Sequence, residues 1–255
     1  MTGSFDFSGR TALVTGAASG IGAATARFLD AHGIAELILV DLDRPGLDQL
    51  GLTCKVQPIG GDVSDPSLWT LLAREIPGID HAVINAGIAC GGALVDTDIA
   101  TWKKVTAVNL DGAFLALRFA LRLMKRAQKG SVVLTASVSG VKPLPGTGPY
   151  GASKAGVIQL AKIAALEAAD WGVRVNAIAP GGVETAIWDQ VPMFKELEAK
   201  EGSREAAFAA MGKLGTPLGR YATPDEIAGQ IGFLLSDMAA TITGSVMVSD
   251  GGFAA

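Results

Sequence analysis

The most restrictive feature of this sequence is an apolar strand followed at once by a glycine-rich turn and an amphipathic helix. The strand is predicted over residues 10–15, and the turn reads Gly16-Ala17-Ala18-Ser19-Gly20-Ile21-Gly22. This order directs backbone N–H groups and a helix N-terminus towards a phosphate. Gly16 permits the turn, Gly20 permits close approach of a pyrophosphate, and Gly22 lets the helix pack on the strand. The spacing differs from GxGxxG, so a plain glycine-rich loop is the alternative.

Strand and helix patterns then alternate along the chain. Further strands are predicted at residues 36–40, 54–59, 79–84, 130–136, 173–179 and 244–249. Pro58 places the third strand at a sheet edge, because proline cannot donate to a neighbouring strand. Six alternations predict an α/β fold: a Rossmann-type doubly wound parallel sheet of about seven strands, with right-handed crossovers and helices on both faces. No linker or internal repeat divides residues 1–255, so a single domain is expected.

An acidic residue ends the second strand. Asp41 lies about 20 positions beyond the glycine-rich turn, where a carboxylate receives a ribose 2′-hydroxyl. It would repel the 2′-phosphate of NADP, so NAD is favoured, although Arg44 lies close by. Asp62 and Val63, after the third strand, would meet the adenine ring.

Tyr150 and Lys154 open a long helical pattern, four residues apart on one face. A nearby cation favours phenolate over phenol, so the pKa of Tyr150 is predicted to fall towards working pH, where the phenol could exchange a proton with a substrate. The alternative is a solvated lysine beside a packed tyrosine. A second long helix, over residues 102–126, contains Asn109 and Gly112, which are poor mid-helix residues, so a local distortion is expected there.

Composition excludes several classes of function. The net charge of −4 gives no general attraction to nucleic acid or to anionic membranes. The two cysteines signal neither a disulfide framework nor a metal site. Residues 1–6 do not resemble a signal peptide, and no apolar run could span a membrane, so a cytoplasmic location is expected. His81 is predicted to be a packing residue.

Residues 184–215 combine large apolar side chains with many charges, and Gly202 and Gly215 interrupt them. One or two helices that cover a pocket are predicted here. An ordinary helical pair packed on the body is the compatible alternative.

Taken together, these motifs resemble the short-chain dehydrogenase/reductase family over essentially the whole chain. The matching segments are, in order, Thr15-Gly16-Ala17-Ala18-Ser19-Gly20-Ile21-Gly22, Asn85-Ala86-Gly87, Asn109, Ser137, Tyr150-x3-Lys154 and Pro180-Gly181. Each segment is modest alone, but six in this order form a specific signature. Ile84 departs from the pattern, since many members carry a second Asn there.

The resemblance implies a catalytic tetrad of Asn109, Ser137, Tyr150 and Lys154. Tyr150 would be the general acid in ketone reduction and the general base in alcohol oxidation, with Lys154 lowering its pKa and binding the nicotinamide ribose. Ser137 would donate to the substrate oxygen, and the distorted helix at Asn109 would hold a water that links Lys154 to solvent. The implied cofactor contacts are Gly16, Ser19, Gly20, Ile21, Gly22, Asp41, Leu42, Asp62, Val63, Asn85, Ala86, Gly87, Tyr150, Lys154, Pro180, Gly181, Val183 and Thr185.

The resemblance also implies where the substrate binds. Residues 90–93, 140–147 and 188–211 would form a mostly apolar wall, which favours a hydrophobic or alicyclic secondary alcohol or the matching ketone. Ser139 could touch the substrate. Lys142 would either recognise an acidic or hydroxylated substrate or be solvated. Family members are usually tetramers or dimers, so a homotetramer or homodimer is expected, without nucleic-acid or membrane partners.

Three functional hypotheses follow. The leading one is an NAD-dependent alcohol dehydrogenase or ketone reductase. The second is a 3-oxoacyl-carrier-protein reductase, which usually takes NADPH and needs basic residues near the 2′-phosphate, so Asp41 counts against it. The third is a dinucleotide-sensing regulator without turnover; such proteins typically lose the Tyr or the Lys, and this chain retains both.

Overall fold

The computed structural model describes residues 5–255 and contains a seven-stranded parallel sheet. In chain order the strands are β1 (Thr11–Thr15), β2 (Glu36–Asp41), β3 (Lys55–Gly60), β4 (His81–Ile84), β5 (Gly130–Thr135), β6 (Val173–Pro180) and β7 (Val246–Ser249). Their spatial order is β3-β2-β1-β4-β5-β6-β7. From β1 the chain adds β2 and β3 towards one edge of the sheet, and it then returns to add β4 to β7 towards the other edge. The strand order therefore reverses between β1 and β4. Ligands of such sheets bind outside the carboxyl ends of the strands at this boundary.

Helices cover both faces of the sheet, as the sequence predicts. They are α1 (Gly20–Ala31), α2 (Arg44–Asp48), α3 (Pro66–Glu75), α4 (Ile99–Thr106), α5 (Gly112–Ala127), α6 (Gly148–Ala168), α7 (Pro192–Glu201), α8 (Arg204–Gly215) and α9 (Pro224–Leu235). One apolar core joins one face of the sheet to α3, α5 and α6, and a second joins the other face to α1 and α9. A capping box at Thr223 and Glu226 begins α9.

The position of each strand follows from its residues. Residues Ala12–Thr15 of β1 are buried, as expected for a central parallel strand covered on both faces. Strand β3 pairs with β2 alone, and its Pro58 lies opposite Leu39. The edge position predicted from Pro58 is therefore confirmed.

The helix predicted over residues 102–126 is divided by a π-helical turn at Ala107–Asp111. Asn109 lies in this turn and is buried. Gly112 begins α5 where a Cβ atom would lie 2.8 Å from Val63 Cγ2, which explains the small residue. The predicted distortion is confirmed, although the helical region begins earlier, at Ile99.

His81 is the first residue of β4, so it lies at the amino-terminal ends of the strands, opposite their carboxyl ends. Its Nδ1 is 2.8 Å from Ser131 Oγ, and Phe7 packs edge-on against the ring. Burial lowers the pKa of His81 to about 4, so the imidazole is neutral at pH 7. The predicted packing role is confirmed. In the part of the chain described, no helix is long and apolar enough to cross a membrane.

Candidate active site

A cavity of about 1380 Å³ opens at the carboxyl ends of the strands. It extends from the ends of β2 and β3, past the glycine-rich turn, to the loops that follow β4, β5 and β6. All of the predicted catalytic and cofactor-binding residues line it except two, Gly22 and Asn109. These two contact lining residues: Gly22 lies against Gly16, and Asn109 hydrogen-bonds to Ile88.

The glycine-rich turn has the close backbone contacts that its sequence predicts. Gly16 has φ +65°, and a Cβ there would lie 2.8 Å from Ala86 Cα. A Cβ on Gly22 would lie 2.0 Å from Gly16 O, so the helix can meet the strand only through glycine. Helix α1 begins at Gly20, and within residues 5–255 the Ser19 side chain makes no capping hydrogen bond. The first N–H groups of α1 are thus available to an anion in the cavity, which fits a dinucleotide pyrophosphate.

Asp41 supports this turn as well as lining the cavity. Its Oδ2 accepts a hydrogen bond from Ala18 N (2.9 Å), and its Oδ1 accepts one from Asp43 N (3.0 Å). Arg44 forms an ion pair with Asp48 within α2. This basic side chain is thus already paired, and Asp41 and Asp62 are the charged residues of the described chain that line this end of the cavity.

Ser137, Ser139 and Tyr150 all line the cavity. Ser137 Oγ accepts a hydrogen bond from Ser139 N (3.2 Å), so its own O–H can donate to a ligand. Tyr150 keeps some exposed surface because it faces the cavity, yet burial raises the pKa of its phenol, while the Ser137 hydroxyl acts to lower it.

Lys154 lies one helical turn beyond Tyr150, with Nζ 5.8 Å from the centroid of the Tyr150 ring. It is 4% exposed and donates to Thr135 O at 2.8 Å. Burial lowers the pKa of Lys154 to about 8. The shared face predicted for the pair is confirmed, but the predicted lowering of the Tyr150 pKa is wrong in the folded chain. Burial of the phenol outweighs any effect of the lysine charge, and the lysine is itself easier to deprotonate.

Asn109 fixes the loop after β4 from both sides. Its Oδ1 accepts from Ile88 N (2.8 Å) and its Nδ2 donates to Ile88 O (2.9 Å). Nδ2 also lies 3.2 Å from Ser153 Oγ, on the helix that carries Tyr150. A Cβ on Gly87 would lie 3.3 Å from both Asn109 Oδ1 and Lys154 Nζ, so the backbone there packs closely against both side chains. The π-helical turn thus links the loop to α6.

Several residues of the segment 184–215 line the cavity, among them Thr185, Trp188 and Met211. The segment forms a 3₁₀ turn at Ala186–Gln190 followed by α7 and α8. Phe194, Ala207 and Phe208 form a small apolar core of their own, against which Trp188 packs. Arg204 stacks on Phe194 and Phe208 and donates to Thr185 O (2.9 Å). The segment is thus a helical pair with its own core, and a role in covering the substrate stays a prediction.

Lys142 does not line the cavity. Its Nζ donates to Phe253 O (2.8 Å) and lies 4.8 Å from the centroid of the Phe253 ring. The structure thus favours the solvated alternative, because the Lys142 side chain is exposed and its ammonium is held by Phe253. Phe253 itself lines the cavity, as does Lys104, and the sequence reasoning missed both. Gln190 also lines it and belongs to the predicted wall segment 188–211. No local motif marks these residues.

Comparisons with known proteins agree with this geometry. A family model described as enoyl-(acyl carrier protein) reductase matches residues 16–254. The chain is 38% identical to a 3-oxoacyl-[acyl-carrier-protein] reductase of Thermotoga maritima, over 96% of this chain and 97% of the relative. It is 36% identical to cis-4-hydroxycyclohexanecarboxylate dehydrogenase of Sinomonas cyclohexanicum, over 98% of each.

The solved structure of levodione reductase superposes with a TM-score of 0.86 at 35% identity, over 96% of this chain and 97% of that one. This chain belongs to the short-chain dehydrogenase/reductase family. As a short-chain dehydrogenase/reductase, it is an NAD(P)-dependent oxidoreductase that acts on CH–OH groups. The family identified from its motifs is therefore confirmed.

Proposed function

We propose that this short-chain dehydrogenase/reductase transfers a hydride between NAD(H) and an apolar or alicyclic secondary alcohol or ketone. The observation that carries this proposal is the convergence of Ser137, Tyr150 and Lys154 on the cavity that the glycine-rich turn also lines. The related cyclohexanecarboxylate dehydrogenase and levodione reductase support an alicyclic substrate. The nicotinamide supplies the hydride chemistry when it is bound.

The protein residues would position the substrate and handle its proton. Ser137 donates a hydrogen bond to the substrate oxygen, where negative charge grows during reduction. The raised pKa of Tyr150 keeps the phenol protonated at pH 7, so it can act as the general acid. Lys154, with a pKa of about 8, can exchange protons at working pH and would bind the nicotinamide ribose. Asn109 holds the loop and helix in register around these groups.

Replacement of Tyr150 by Phe tests this mechanism. Loss of the proton donor should lower kcat by about 10²- to 10⁴-fold. NADH binding, followed by fluorescence titration, should stay nearly unchanged because the ring remains. Tyr221→Phe is the matched control, since it removes the hydroxyl of the only other tyrosine. A normal turnover rate in the Tyr150 variant would discard the mechanism.

We propose NAD as the preferred cofactor because Asp41 would repel a 2′-phosphate and Arg44 is paired with Asp48. Asp41→Asn removes the charge but keeps an acceptor for Ala18 N. It should raise kcat/KM for NADP by about fivefold or more, since one like-charge contact near the surface costs at least ~1 kcal/mol. Asp41→Ala should also relax the preference for NAD, but with weaker binding of both dinucleotides. A preference for NADP in the unmutated enzyme would contradict the assignment.

A 3-oxoacyl-carrier-protein reductase is the second candidate, favoured by the relative from Thermotoga maritima. The same cofactor assay separates the two, because Asp41 disfavours NADPH.

We further propose that the chain acts as one dinucleotide-binding and catalytic domain, because residues 184–215 complete the cavity of the sheet. A cytoplasmic location stays a prediction.

We propose a homotetramer or homodimer. Phe114 on α5 is 47% exposed, and Leu166 on α6 is 83% exposed. Val248 on the edge strand β7 is 43% exposed. Such apolar side chains on two long helices and a sheet edge suit contact with a second copy. Sedimentation velocity measures the assembly directly, and a monomer would contradict it.

A further inference from the structure

The charges that line the cavity are divided between its two ends. Asp41 and Asp62, which follow β2 and β3, are the acidic lining residues in the described chain. Lys154 and Lys104 are the basic ones, and Lys104 belongs to α4, next to the loop after β4. Strands β2 and β4 are separated by β1, and each strand-to-strand step is about 4.8 Å. The dinucleotide end is therefore acidic and the substrate end is basic.

A side chamber of about 390 Å³ adjoins the substrate end. Thr101, Gln190 and Lys104 contribute a hydroxyl, an amide and an ammonium group to an otherwise apolar lining. The full lining consists of Ile88, Ala89, Cys90, Thr101, Lys104, Val105 and Gln190. Lys104, Gln190 and the Ile88–Cys90 loop line both the chamber and the main cavity. A substrate held at Ser137 and Tyr150 could thus extend from one space into the other.

Lys104 and Gln190 are both free to bind a ligand group. No ion pair between residues 5 and 255 engages Lys104. Gln190 Oε1 accepts a hydrogen bond from Ala89 N (3.3 Å), so its amide NH₂ group can still donate. That bond also fixes the 3₁₀ turn of the covering segment over the chamber. Lys142 does not compete for this role, because Phe253 engages it.

We propose that the side chamber binds an anionic end of the substrate: a carboxylate carried by an alicyclic or aliphatic body whose other end is the reacting alcohol or ketone. Lys104 supplies the charge and Gln190 a hydrogen bond, while the apolar lining contacts the hydrocarbon. This inference rests on the proposed function, since the reacting carbon must lie at Tyr150. It assigns a specificity site that is separate from the chemistry.

The test is a pair of ligands that differ only in charge. Cyclohexanecarboxylate and cyclohexanecarboxamide are titrated calorimetrically into the full-length enzyme, with and without NADH. The carboxylate should bind several-fold more tightly than the amide, and Lys104→Met should weaken carboxylate binding by about fivefold, the effect of one partly exposed ion pair. Lys103→Met is the control, because that exposed neighbour lines neither space. Added salt should reduce the carboxylate preference.

The outcomes separate the subsite from the reaction. Equal binding of the two ligands, no binding of either, or equal effects of the two lysine variants would overturn the anionic subsite. Turnover of neutral secondary alcohols with NAD would then still support the proposed function. Conversely, Lys104-dependent carboxylate binding without any alcohol turnover would support the subsite and remove the proposed function.

Discussion

The buried ammonium of Lys154 should make the native enzyme less stable than a variant that lacks it. Lys154 is 4% exposed, and its single protein hydrogen bond among the described residues is to Thr135 O. Lys154→Met keeps a long side chain but removes the charge. The variant should be inactive, yet it should resist denaturation better at pH 7.

The magnitude follows from the pKa of Lys154. Burial lowers it from 10.5 to about 8, and each pKa unit corresponds to ~1.4 kcal/mol. The charged form therefore costs the folded state about 3 kcal/mol at pH 7. Lys154→Met removes this cost, but the variant also loses the hydrogen bond to Thr135 O, which offsets about 1 kcal/mol of the stability gained. We expect Lys154→Met to raise the free energy of unfolding by about 2 kcal/mol at pH 7.

The sign of the pH dependence is also fixed. Between pH 8 and 10.5 the unfolded chain still holds a proton that the folded chain has released. Through this group the unfolded state binds more protons in this window, so the contribution of Lys154 to the stability of the wild-type enzyme rises with pH. The advantage of Lys154→Met should therefore disappear by about pH 10.

Urea unfolding at fixed protein concentration, at pH 7 and at pH 10, measures both effects. Other titrating groups are common to the two proteins and cancel in the difference. Lys103→Met, at an exposed position of the same chain, should differ from wild type by less than about 0.5 kcal/mol at either pH. If Lys154→Met were less stable at pH 7, or if the difference did not change with pH, the assigned burial cost would be refuted.

Two further predictions concern the backbone and the C-terminal turn. Gly22→Ala places a Cβ 2.0 Å from Gly16 O, so the affinity for NADH should fall by about tenfold or more. Gly78→Ala is the control: a Cβ there meets open space, so its affinity for NADH should be unchanged. Equal affinities would show that the turn tolerates a side chain. Lys142→Met removes the hydrogen bond and ring contact to Phe253, so KM for the substrate should rise by about three- to fivefold with kcat largely kept. Lys55→Met on the far edge strand is the control, and unchanged kinetics in Lys142→Met would mean that Phe253 needs no such support.

Local chemistry explains what could be predicted from the sequence. Pro58 lacks an N–H, so it can occupy only an edge strand, and β3 is at the edge. Asn109 and Gly112 disfavour a regular helix, and the π-helical turn occurs there. The spacing of Tyr150 and Lys154 places both on one helix face regardless of tertiary structure. Each of these inferences depends on a few neighbouring residues.

The errors concern contacts between distant parts of the chain. Lys142 meets Phe253 across 111 positions, and Gln190 meets Ala89 across 101. No spacing rule in a single sequence predicts such pairs. Sequence alone mispredicts the pKa of Tyr150 for a related reason: the charge of Lys154 is visible in the sequence, but burial of the phenol depends on everything packed around it.

The two hydrogen bonds of Asp41 have a consequence for how coenzyme choice can evolve. The carboxylate that selects against a phosphorylated ribose also holds the backbone at Ala18 and Asp43. Replacement of Asp41 by a residue without an acceptor would weaken the turn that binds both coenzymes, so such an intermediate would be a poorer enzyme with either one. A change to a neutral acceptor keeps these hydrogen bonds, and a released Arg44 would then add attraction for the phosphate.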